Sequence, residues 1–165
     1  MLRFYAPIRA AAIAAALLLG GCSDRDTPED QIRALIAAAE EAAERKEIGT
    51  LRGYVSESYA DDAGRDRRAI DAILRLYLLR HERIHLLTRV SDVRFVPPAA
   101  AGAVVYVAMS AVPIADAEAL GGLRADLYRI ELDFVREDDD WRVRRAAWRP
   151  AELADFVYRP PESGD

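Results

Sequence analysis

The 165 residues contain one cysteine, two histidines, one lysine and no asparagine. The single thiol, Cys22, excludes a structural disulfide within the chain, so the core must hold by packing alone. The two histidines, His81 and His85, cannot complete a zinc site by themselves, and a third ligand would have to be a carboxylate. Lys46 stands alone among many arginines, a bias that genomic base composition explains better than any function does. Basic excess is missing too. Asp and Glu number 28 against 23 Lys and Arg, for a formal charge of −5, which argues against a nucleic-acid partner.

Near the start, Met1-Leu2-Arg3 and Arg9 precede an apolar run from Ala10 to Leu19, too short for the ~20 residues of a spanning helix. The run ends Leu19-Gly20-Gly21-Cys22. This resembles the lipobox of bacterial lipoproteins: a branched apolar residue, two small residues, then the cysteine that becomes the acylated N-terminus. The resemblance implies a signal peptide over 1–21, diacylglycerol and an amide-linked acyl chain on Cys22, and a tether over 22–27. Each buried CH₂ contributes roughly 0.8 kcal/mol, so several chains anchor stably to the lipid bilayer. Ser23 rather than aspartate after the cysteine resembles outer-membrane sorting, with the domain facing the periplasm. Residues 28–158 then form a single domain, large enough to bury about two thirds of its unfolded surface, and 159–165 a flexible tail.

Thr27-Pro28-Glu29-Asp30 reads as a helix start, with Thr27 as N-cap. Ile32, Leu35, Ile36, Ala39 and Ala43 form its apolar stripe, Glu40, Glu41, Glu44 and Arg45 its solvated face, and Gly49 should end or kink it near Lys46. A short helix is expected over 50–56, with Leu51, Tyr54 and Val55 inward. Tyr59 to Gly64 is a loop by composition, and Asp66 is the N-cap of a central helix. In that helix Ile70, Ile73, Leu74, Tyr77, Leu78 and His81 recur at three and four residues, the spacing of a nearly buried element. From Ile84 the period changes to two. Ile84, Leu86, Thr88 and Val90 share one face, while His85, Leu87, Arg89 and Ser91 share the other.

Pro97-Pro98 ends that first strand. A second strand, 103–112, is apolar on both faces and should be central. A helical turn is expected at 115–120. A third strand, 124–136, points Tyr128, Ile130, Leu132 and Phe134 inward and Arg129, Glu131 and Asp133 outward. The acidic turn Glu137-Asp138-Asp139-Asp140 leads to a fourth strand, 141–149. Pairing Arg136 with Trp141 sets Phe134 against Val143, Asp133 against Arg144, and points Arg145 inward. The class is α+β: N-terminal helices packed on a curved antiparallel sheet of about four strands.

This order of elements, together with Tyr59, Asp61 and Gly64 before the main helix and Trp141, Val143, Ala146 and Trp148 at the end, resembles the nuclear transport factor 2-like superfamily, also called SnoaL-like. The resemblance spans roughly Pro28 to Pro150. It implies a cone-like sheet curled around the long helix, with a pocket at the open end. Some members are isomerases, dehydratases or epoxide hydrolases, and many bind a ligand or partner without catalysis. Their open sheet face commonly dimerises, which here would involve an outward apolar residue such as Leu127.

His81-Glu82-Arg83-Ile84-His85 matches H-E-x-x-H, whose histidines share a Zn²⁺ when one helical turn apart, with Glu82 as base. The alternation from Ile84 makes His85 a strand residue instead. Four residues of strand separate the two by roughly 13 Å, too far for two ~2 Å bonds to one metal. As pocket residues, Tyr77, His81, His85, Tyr106, Tyr128 and Arg145 are expected to border the cone mouth, around a small apolar ligand. The first functional reading is a non-catalytic envelope lipoprotein that binds a ligand or partner, with no cofactor. A homodimer or an envelope protein are the expected partners. A small-molecule lyase, isomerase or hydrolase using His81, His85 and Asp61 is the alternative, and a zinc metallopeptidase the third reading.

Overall fold

The computed structural model describes residues 27–157. The signal segment at 1–21, the acylation site Cys22 and the tail at 159–165 lie outside the described residues, as does the tether except for Thr27. No described helix is long and apolar enough to cross a membrane.

Helix α1 (Pro28–Glu44) starts where the residues dictate. Thr27 and Asp30 cap each other's backbone N–H groups, and Pro28 opens the first turn. Ile32 and Ile36 are buried from its stripe, joined by Ala42. The helix ends at Glu44, beside the expected stop near Lys46. Lys46 takes the left-handed conformation (φ 57°) that turns the chain, and Gly49 is inside α2 (Ile48–Gly53). The Lys46 ammonium donates to the carbonyls of His81 and Glu82 just past α3 (Arg67–Arg80), so this turn fastens two helix ends together. Asp66 caps α3 through the Ala69 N–H (2.9 Å). Helix α3 is less buried than its spacing predicts. Only Ile70 and Leu78 are buried; Ile73, expected inside, is exposed at the mouth of a hollow that the helix spans, and Leu76 and Leu79, outside the expected stripe, are exposed as well.

Four antiparallel strands follow in order: β1 (His85–Val96), β2 (Ala100–Ser110), β3 (Ala125–Glu137) and β4 (Asp140–Pro150). Two bulges bend the sheet. Ser91 is surplus between Val90 and Asp92, so Val93 and Phe95 rejoin the face of Val90. Arg144 is surplus on β4: Phe134 faces Val143 as predicted, but Asp133 faces Arg145 rather than Arg144. Asp138 (φ 49°) and Asp139 (φ 68°) form the two-residue turn between β3 and β4.

Both free edges of the sheet are covered. Val55 pairs with Val143, and the Ala60 N–H donates to the Arg144 carbonyl. On the opposite edge, Glu44 accepts the Leu86 N–H (2.8 Å) while remaining exposed, and Glu40, half-buried and so off the solvated face expected for it, accepts the Thr88 hydroxyl (2.5 Å). Phe134, Trp141, Ala101 and Ala103 pack with Ile32 and Ile36 at the narrow end of the cone. The indole N–H of Trp141 donates to Gln31 (2.9 Å) there.

Strand β2 is covered on both sides, as its composition predicts. On the convex side a 3₁₀ turn (Glu118–Gly122) and α4 (Ala154–Val157) place Leu120 and Phe156 over Ala108, Leu87 and Leu127. Leu127 is therefore packed, not an exposed outward residue. The convex side of β3 and β4 beyond it carries Arg129, Glu131, Asp133 and Arg145, which pair among themselves and with Asp62.

Candidate functional site

The concave face and the helices enclose a cavity of about 450 Å³, within the range of small-molecule sites. Strand alternation aims Val105, Val107 and Met109 of β2 and Tyr128, Ile130 and Leu132 of β3 into it. The Arg144 bulge adds Ala146 and Trp148 of β4 beside Val143. Helix α3 roofs it with Ile70, Ile73, Leu74 and Tyr77, and α1 closes one side with Leu35, Ile36, Ala39 and Glu40. Ile73 and Trp148, each 40 % exposed, mark the mouth. The wall is overwhelmingly apolar. Its polar atoms are a few tyrosine hydroxyls, the indole of Trp148, and the Glu40–Thr88 pair.

The loop before α3 shapes this mouth. Tyr59 is buried, and its hydroxyl donates to Asp61 (3.1 Å). Burial, then the neighbouring Asp61 carboxylate, pushes the Tyr59 hydroxyl up to about 12. Burial also acts to raise Asp61, but the Arg65 N–H and guanidinium, the Tyr59 hydroxyl and the Ala63 N–H outweigh it and hold the carboxyl below its usual range. Arg65 then lies over the Trp148 ring, 4.1 Å from its centroid, and fixes that side chain at the rim. Asp61 is thus committed to the loop.

The six candidate pocket residues separate. Tyr77 and Tyr128 line the cavity, and burial with nearby Asp126 and Tyr128 raises the Tyr77 pKa. His81 stacks on Tyr77 (4.3 Å between centroids), and its Nδ1 donates to the Tyr77 carbonyl (2.9 Å). It borders a neighbouring pocket, not the cone itself. His85 opens β1 and lines neither space. Tyr106 faces the convex side against Phe156, as the alternation of β2 requires. Arg145, turned by the bulge, binds Asp62 and Asp133 outside the cone. Glu40, Tyr54, Thr88, Met109 and Trp148 join the wall unforeseen. For Glu40 a signal existed: it stands one turn from Ile36, at the border of the apolar stripe.

The H-E-x-x-H segment is not helical: α3 ends at Arg80, and non-helical chain runs to His85. Among the described residues no group of three or more histidine, cysteine, aspartate or glutamate side chains is placed to hold a metal ion.

No protein-family model and no curated protein matches the chain. Solved structures do. Bd1075 of Bdellovibrio bacteriovorus superposes with a TM-score of 0.56 at 11% identity, over 73% of this chain and 40% of its own, so this chain spans less than half of that protein. A protein described as a dehydratase of the NTF2-like family, from Streptomyces avermitilis, gives 0.58 at 18% identity, over 77% of this chain and 98% of its own. A ketosteroid isomerase-like protein from Erwinia carotovora atroseptica gives 0.56 at 10% identity, over 75% and 96%. With its helices, its four-stranded bent sheet and its cavity, this chain has the nuclear transport factor 2-like fold.

Proposed function

We propose that the domain binds a small apolar molecule without transforming it, and that acylated Cys22 holds it at an envelope membrane, facing the periplasm and sorted to the outer membrane. The observation that carries the ligand reading is the cavity of about 450 Å³ with its nearly unbroken apolar wall. An apolar ligand would exchange water for that wall at roughly 25 cal/mol per Å² of surface buried. The residues suited to acid–base work are dispersed: Asp61 is tied to Arg65, His81 to Tyr77, and His85 lies outside both pockets.

Titration with the apolar fluorophore N-phenyl-1-naphthylamine tests the reading. Saturable binding at one site per chain is expected, and Val107→Trp, which fills the hollow from β2, should weaken it by at least about tenfold. Equal binding by the variant would contradict the assignment. The anchor has its own test. Protein extracted from membranes should carry the mass of acyl chains, and Cys22→Ser should leave it unacylated and in the soluble fraction. Retention of that variant in the membrane would refute the anchor.

Glu40 supports a second reading, a small-molecule isomerase or lyase, because it is the one carboxylate in the cavity wall. That reading requires a turnover that Glu40→Gln abolishes while N-phenyl-1-naphthylamine still binds. Turnover unaffected by the substitution would end it.

A further inference from the structure

Beside the cone lies a second pocket, also about 450 Å³, lined among others by Tyr77, His81, Arg83, Ser110, Arg124 and Asp126. Tyr77 and Met109 line both spaces, so the two adjoin at those side chains. Their chemistry differs: the cone is almost wholly apolar, whereas the second pocket mixes Ile84, Met109, Ala111, Leu123 and Ala125 with two arginines and one aspartate.

Most arginines around the fold are spoken for. Arg65, Arg67, Arg75, Arg129 and Arg145 each pair with a carboxylate. Arg83 and Arg124 do not: neither has a hydrogen bond or ion pair to any described residue, although Asp126 lines the same pocket. Two arginines and one aspartate thus border the pocket, a local positive excess in a chain whose formal charge is −5. Ser110, buried, uses its oxygen to accept the Val112 N–H (3.2 Å) and keeps its O–H to donate.

We propose that this pocket seats the anionic head group of the ligand whose apolar body occupies the cone, and that the ligand is a chain amphiphile ending in a carboxylate. The proposal rests on the cone being a ligand compartment. Guanidinium forks match a carboxylate in two parallel hydrogen bonds, which an alcohol or ester cannot reciprocate. Tyr77 and Met109 form the boundary between head and tail, an amphipathic ring and a flexible thioether that adapt to a chain passing between them.

The test compares dodecanoate with dodecan-1-ol on the full chain, by competition against N-phenyl-1-naphthylamine. Dodecanoate should bind about tenfold more tightly, the low end of what charge-assisted hydrogen bonds supply at exposed groups. In the double variant Arg83→Ala/Arg124→Ala the preference should vanish while dodecanol affinity stays unchanged. Both side chains are exposed, so folding is expected to persist, and Arg83→Lys/Arg124→Lys should retain part of the preference. Equal affinity for acid and alcohol in the parent protein, or a preference that survives the double alanine variant, overturns the head-group assignment alone. Failure of both probes to compete with a bound fluorophore also overturns it. No binding of any apolar probe, fluorophore included, would remove the compartment itself.

Discussion

Tyr59, Asp61 and Arg65 concentrate several requirements in one loop. The Tyr59 phenol is buried against a carboxylate, so its ionised form is disfavoured in the folded state, where its pKa rises from 10.0 to about 12. A raised folded pKa means that the stability it contributes is complete below pH 10 and is lost as the pH climbs from 10 to about 12. Tyr59→Phe removes that proton linkage. The urea midpoint of the parent protein should therefore fall more between pH 9 and pH 11 than that of the variant, and parallel declines would contradict this. Asp61 works in the opposite sense. Its folded pKa is depressed, so its contribution is present above the usual carboxylate value of 3.8 and is lost as the pH falls below it. At this scale the sequence misleads most. Alternation placed Arg145 inside the cone, but the unpaired Arg144 reverses every later side chain of β4 and delivers Ala146 and Trp148 to the cavity instead. The apolar spacing Trp141, Val143, Ala146, Trp148 steps by three between Val143 and Ala146, which is the local trace of the bulge that strict alternation overlooked. The segment from Val55 to Ala60 pairs along the far edge of β4 at this point, the Ala60 N–H donating to the Arg144 carbonyl.

Lys46 shows how elements are joined. It bends the chain between α1 and α2 in a left-handed conformation and sends its ammonium to two carbonyls beyond α3. Those carbonyls lie at the negative end of the α3 dipole, where a cation is favoured. Lys46→Met keeps most of the stem and removes the donor. It should cost about 1 kcal/mol, read as a lower urea midpoint at unchanged slope, whereas no shift would show the contact to be idle. The elements themselves were legible because their periods differ. The change from helix to strand near Ile84, the Thr27 and Asp66 caps, the acidic turn and the inward face of β3 all follow from local spacing. The burial of α3 was not legible. Ile73, Leu74 and Tyr77 have core spacing, yet they are only partly covered because the helix roofs a hollow that spacing cannot reveal. Glu40 carries the same lesson: an acid beside an apolar stripe reads as solvated until the Thr88 hydroxyl across the cavity wall is found to need an acceptor.

For the whole molecule, the bends at Ser91 and Arg144 and the packed narrow end leave the wide end of the cone open beneath α3. Phe134, Trp141, Ile32 and Ile36 secure the fold at one end. That core adjoins the cavity through Ile36 and Val105, which line both, so the sheet is held at this end while the other end stays hollow. The convex side offers little competing apolar surface, since Leu120 and Phe156 cover Leu87, Ala108 and Leu127 and charged pairs occupy much of the rest. Methyl-selective NMR during titration with N-phenyl-1-naphthylamine separates the two faces directly. Shifts concentrated at Leu74, Val107, Met109, Leu132 and Val143 are the result expected of a ligand inside the cone. Shifts at Leu87, Leu120 and Leu127 instead, or none at saturation, would contradict it.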